Sequence, residues 1–82
     1  MQTILIDGSR YKTARDLHLA LKMLLSLPPY YGLNADALND CLSERTEPVN
    51  LWILDPGEGE TASALEIVRA VVTDRGGTVK EL

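Results

Sequence analysis

The chain has 82 residues, 45% of them hydrophobic, a formal net charge of -4 and a single cysteine. This composition is that of one small domain with a Leu/Ile/Val core and excludes a disordered segment or an internal disulfide. The acidity argues against nucleic acid or an anionic membrane as partner. No apolar run reaches membrane length and no leader pattern opens the chain, so the expectation is a reduced, cytoplasmic protein.

Thr3-Ile4-Leu5-Ile6 reads as a short strand closed by Asp7-Gly8. No glycine triplet follows, so a dinucleotide fingerprint is absent. Thr13 with Asp16 three residues on resembles a capping box. Ala14, Leu17, Leu21 and Leu24, widened by Ala20 and Leu25, form a helical stripe. This pattern predicts a helix from about Ala14 to Ser26, stopped ahead of Pro28. His18, the only histidine, lies beside the stripe and reads as a partly exposed structural residue.

Pro28-Pro29-Tyr30-Tyr31-Gly32 reads as a stiff aromatic loop, with one tyrosine packed and the other partly exposed. Gly32 is expected to take the turn conformation that other residues resist. Asn34 is a candidate N-cap for a helix from about Ala35 to Glu44. Ala37, Leu38, Cys41 and Leu42 would face a core, and Cys41 is expected to be buried and inert. Asp36, Asn39, Asp40 and Ser43 would face outward. Asp36 and Asp40 repel each other at i,i+4, which suits a surface aimed at a cationic partner.

Glu44 to Glu47 form a polar connection closed by Pro48. Val49-Asn50-Leu51-Trp52-Ile53-Leu54 is the strongest strand in the chain. Asp55-Pro56-Gly57 ends it, and Glu58-Gly59-Glu60 reads as a loose, solvated turn without a calcium-loop pattern. Ser63 and Glu66 suggest a second capping box, opening a helix whose stripe is Ala64, Leu65, Val68, Val71 and Val72. Gly76-Gly77 ends that helix ahead of a short edge strand, Thr78 to Leu82. The order strand, helix, helix, strand, helix, strand predicts a single two-layer α/β domain over residues 1–82, with packed helices and a three-stranded parallel β-sheet.

Nothing here assembles into a catalytic centre. Asp36 and Asp40 sit one helical turn apart on a convex face, not across a cleft. No ligand set completes a metal site, and no nucleophile can be assigned to His18. The chain reads as a non-enzyme without a cofactor.

The run Leu27-Pro28-x-Tyr30-Tyr31-Gly32-x-Asn34-x-Asp36-Ala37-Leu38-x-Asp40-Cys41-Leu42 resembles the barstar family of intracellular ribonuclease inhibitors. A weaker likeness covers nearly the whole chain: Asp7-Gly8, Asp16-Leu17-His18, Pro48, and the glycine before the last strand. The resemblance implies a sheet in spatial order 1-2-3 with Val49–Leu54 central. It also implies a 1:1 complex with a basic, secreted, guanyl-specific-type ribonuclease such as barnase, formed by a protein that is monomeric when free. The residues it assigns to protein binding are Tyr30, Gly32, Asn34, Asp36, Asn39, Asp40 and Glu44. Asp40 would enter the substrate-phosphate pocket, and Asp36 would pair with neighbouring basic residues. Barstar-family members carry tryptophan where this chain has Asn39 and Glu44, and a glutamate where it has Val71. The alternative is a non-inhibitory, barstar-like module that binds another basic protein.

Overall fold

Three strands pair in parallel in the order β1-β2-β3. They lie within a computed structural model that describes residues 2–82. β1 (Gln2–Asp7) is followed by a 3-10 turn and α1 (Ala14–Leu24). Then come α2 (Ala35–Ser43), β2 (Val49–Asp55), α3 (Gly59–Asp74) and β3 (Thr78–Glu81). β2 is central, as the family resemblance implies.

The strands alternate. Ile4 and Ile6 of β1, and Val49, Leu51 and Ile53 of β2, are buried with Leu17, Leu21, Leu25, Leu38, Leu42, Leu65, Val68 and Val72 of the helical layer. Burying one such side chain is worth about 1.5–3 kcal/mol. The alternate residues Thr3, Leu5, Trp52 and Leu54 stay exposed on the other face of the sheet. That face carries a polar ladder, in which Thr78 Oγ1 donates to Asn50 Oδ1 at 2.6 Å and Asn50 Nδ2 donates to Thr3 Oγ1 at 3.3 Å. A lone layer of helices is therefore what the alternation specifies.

At the carboxyl ends of β1 and β2 the register slips between Ile6 and Asp7, so Asp7 comes opposite Asp55. Each carboxylate folds back on its own turn, Asp7 onto Ser9 and Asp55 onto the Gly57 amide. Gly8 passes so close to the facing loop that a Cβ there would lie 2.5 Å from the Asp55 carbonyl oxygen.

Two helix ends depart from the sequence expectation. α1 stops at Leu24, short of Ser26, and Pro28 is not what stops it. Ser26 turns left-handed at φ 52, its amide donates to the Met23 carbonyl, and the Leu27 amide reaches the Lys22 carbonyl at 2.9 Å. This is a Schellman closure with serine in glycine's usual place. Leu24, expected in the buried stripe, is exposed, while Leu25 and His18 are buried. α3 opens at Gly59, four residues before Ser63, so Glu58-Gly59-Glu60 is not a loose turn and Ser63 caps nothing. Its first turn is held by distant partners. Thr61, fully buried, donates to the Tyr11 carbonyl at 2.6 Å, and Glu60 Oε2 accepts the Ala14 amide at 2.6 Å. An acid expected to be solvated thus caps another helix. Thr13 caps α1 as expected, accepting from the Asp16 amide at 3.0 Å.

His18 is 4% exposed, not partly exposed. Its Nδ1 lies 2.6 Å from the hydroxyl of Tyr31, itself 5% exposed. This bond lets an imidazole join the apolar arc of α1. Burial lowers the His18 pKa from its ordinary 6.5 and pushes the Tyr31 phenol well above its ordinary value.

Two stability predictions follow from these sites. Ser26→Gly relieves a left-handed serine and should stabilise the fold by about 0.5–1 kcal/mol, read as a higher urea midpoint, whereas Gly8→Ala drives a methyl into backbone and should cost about 1–3 kcal/mol. His18 gives a pH dependence of definite sign. The unfolded chain takes up its proton near pH 6.5, the folded chain only at lower pH. The unfolded state therefore binds more protons in that window, and stability falls as pH drops below 6.5, by at most about 1.4 kcal/mol per pH unit. Thermal melts between pH 5 and 7.5 should show this slope, and His18→Gln should flatten it.

Candidate protein-binding site

The entry to α2 is built by the loop from Leu27 to Asn34. Leu27 is buried, and the Tyr31 amide donates to the Pro28 carbonyl at 3.0 Å, closing a turn over the two prolines. Tyr31 points inward to His18, and its hydroxyl lies 3.4 Å from the Asn34 carbonyl. Tyr30 points outward and is 80% exposed. The tyrosines divide their roles as their positions beside an apolar helix suggest. Gly32 does not make the turn. The left-handed residue is Leu33, at φ 57, and a Cβ on Gly32 would lie 3.3 Å from both Ala37 Cβ and Asn34 Nδ2, a tight fit that asks these side chains to give by a few tenths of an ångström. The half-buried leucine packs against the core, which holds it in a conformation its side chain disfavours.

Asn34 caps α2 and ties the loop before it. Its Oδ1 accepts the Ala37 amide at 2.8 Å, and its Nδ2 donates back to the Gly32 carbonyl at 3.0 Å. Leu38 and Leu42 anchor α2 to the core, with Ala37 and Cys41 half-buried at the margin. Cys41 is thus less buried than expected, because it lies on the boundary between the two faces. It lines a depression of about 340 Å³ with Tyr30, Tyr31, Gly32, Asp40 and Glu44. Partial burial, reinforced by the Glu44 and Asp40 carboxylates, raises its pKa and keeps it a thiol.

Asp36, Asp40 and Glu44 fall at i, i+4 and i+8, forming one exposed stripe along the helix. Among the described residues none of the three has an ion-pair partner. Asp36 lies in the first turn, where the helix dipole favours it; Glu44 is the C-cap, where the dipole opposes it. Each like-charge i,i+4 pair costs about 0.2–0.5 kcal/mol. The fold gains nothing visible from this arrangement.

Asn39 stands apart from the other expected site residues. It is half-buried, and its Oδ1 accepts from Arg75 Nε at 2.8 Å, tying α2 to the end of α3. Val71 is half-buried against the core. At the other end of the site, Arg45 Nη1 donates to the Leu25 carbonyl at 2.7 Å and Nη2 to Gln2 Oε1, fixing the exit of α2 to α1 and β1. The structure therefore brings Tyr30, Gly32, Asn34, Asp36, Asp40 and Glu44 onto one continuous surface, with Asn39 on its α3 margin. Sequence reasoning missed His18 as the support of Tyr31, and Arg75 as the neighbour of Asn39. Arg75 is 36 residues away, and no local pattern could reveal it.

Among the described residues no cluster of His, Cys, Asp or Glu could hold a metal ion, and no helix is long and apolar enough to cross a membrane. Comparison with known proteins adds to this geometry. A family model described as "Barstar (barnase inhibitor)" matches residues 1–78. A Bacillus subtilis (strain 168) protein named "Putative ribonuclease inhibitor YrdF" is 49% identical over 43 residues, a stretch covering 52% of this chain and 47% of that relative. With nearly its whole length matched by the family model, the chain belongs to the Barstar family.

Proposed function

We propose that this chain inhibits a basic, secreted ribonuclease by laying the acidic stripe of α2 across its active site. The observation that carries this reading is the row Asp36, Asp40 and Glu44. It is exposed, without ion-pair partners among the described residues, and mounted on a helix whose entry loop is fixed to the core. A protein that retains such a charge row at a cost to its own helix has a use for it outside the fold. Arginines and lysines that bind RNA phosphates are its natural complement.

In this mechanism no bond is made or broken. Asp40, mid-stripe and beside the depression under Tyr30, takes the position of a substrate phosphate in the nuclease pocket. Asp36 and Glu44 engage basic residues on either side. Tyr30 supplies rigid contact area beyond the helix. Asn34 and Gly32 act through the shape of the loop, because their polar groups are already used within it. The partner is of the guanyl-specific type, bound 1:1 by a monomer inside the cell that makes both proteins. Family membership and the inhibitor name of the Bacillus relative support this reading. Asparagine, tied to Arg75, in place of a large aromatic removes a common source of interface energy and favours a cognate nuclease other than barnase. The same feature is what a non-inhibitory module for another basic protein would show.

The test is calorimetric titration of the cognate ribonuclease with the wild-type chain and alanine variants, paired with thermal melts. Asp40→Ala should leave the melt unchanged or slightly improved, since alanine favours helix and i,i+4 repulsion is relieved. It should weaken binding by about 2–5 kcal/mol, a range drawn from charge pairs at protein interfaces that include barnase and its inhibitor. Asp36→Ala should cost less. Association should slow steeply with added salt. Wild-type affinity for a normally folded Asp40 variant would refute the phosphate-mimic mechanism.

A further inference from the structure

We propose that Arg75 is a specificity determinant of the docking surface, a fixed cation that penalises a uniformly basic partner and selects one presenting a carboxylate at the α2–α3 boundary. This rests on the reading of α2 as the ribonuclease-docking helix. Arg75 is the exposed C-cap residue of α3. Its Nε donates to Asn39 Oδ1 at 2.8 Å, which sets the guanidinium plane against α2. Asn39 stands one turn after Asp36 and immediately before Asp40. Helix neighbours three residues apart are about 5–6 Å apart at Cβ. The cation therefore sits within a screening length, about 10 Å at 0.1 M salt, of the stripe.

Despite that proximity, Arg75 forms no ion pair with Asp36, Asp40 or any other carboxylate of the described residues. The Asn39 bond uses Nε alone. Both Nη groups are left without a hydrogen-bond partner among the described residues, in the planar fork that matches a carboxylate with two parallel bonds. The docking face is therefore charge-mixed, a row of carboxylates bounded on its α3 side by an oriented guanidinium. Its complement is a basic cleft with an acid on one rim. A nuclease with a basic rim there meets like charge, and like-charge juxtaposition is how interfaces reject near-correct partners.

Barnase, as a basic ribonuclease, serves as the probe. Its inhibition and association rate are measured with wild type, Arg75→Gln, Arg75→Glu and Asp40→Ala, each checked by thermal melt. Arg75→Gln keeps a donor for Asn39 and removes the charge together with the Nη fork. Both Arg75 variants should inhibit barnase better than wild type, Arg75→Glu by about tenfold. The gain should lie in the association rate and shrink at high salt, which a purely structural tie between α2 and α3 would not produce. Absence of a gain in both Arg75 variants overturns the proposal, whether or not wild type inhibits. Wild-type inhibition by a normally folded Asp40→Ala variant would overturn the docking role of α2 and this proposal with it, whereas a loss in Asp40→Ala without an Arg75 gain would overturn this proposal alone.

Discussion

The hydrogen bond between Tyr31 and His18 joins parts of the chain that would otherwise meet only at their surfaces. It places a loop tyrosine into the α1 layer, and the same hydroxyl lies within reach of the Asn34 carbonyl, where α2 begins. α2 is thereby referenced to the core at its first residue and, through Arg45, to α1 and β1 at its last. In the proposed complex a helix held at both ends loses little freedom when the partner arrives, so more of its contact energy is available for affinity.

This rigid mounting makes the acidic stripe tolerable. Two like-charge pairs and a carboxylate at the wrong end of the dipole together cost on the order of 1 kcal/mol. Burial of Leu38 and Leu42 on the opposite side of the same helix contributes several times that. The two faces of α2 thus work against each other energetically. The apolar one supplies the stability that the charged one consumes, and Cys41 marks the line between them.

Features set by neighbours in sequence were legible from it. The Thr13 and Asn34 caps and the parallel sheet follow from local spacing and element order, and the central place of β2 was implied by the family resemblance. Features set by distant partners were not. α3 begins where Thr61 and Glu60 find Tyr11 and Ala14, so a capping pattern at Ser63 and Glu66 misled. α1 ends where Ser26 accepts a left-handed turn, a choice that serine does not advertise. His18 is buried because a tyrosine 13 residues on satisfies it. The acidic row was readable as helical spacing, whereas the guanidinium at its margin depends on how α3 crosses α2.

The one-sided sheet leaves the only tryptophan, Trp52, on the face turned away from the helices, with the Lys80 ammonium 5.8 Å from its ring. Its indole is fixed by strand register, between Leu5 and Lys80, and not by the loop or α2. Tryptophan emission of this protein therefore reports on the integrity of the sheet and is nearly blind to what happens at the acidic face, where the aromatic residues are tyrosines. Unfolding carries an optical signal of its own. Complex formation must be read from the partner's chromophores, and the two events can be followed separately in one cuvette.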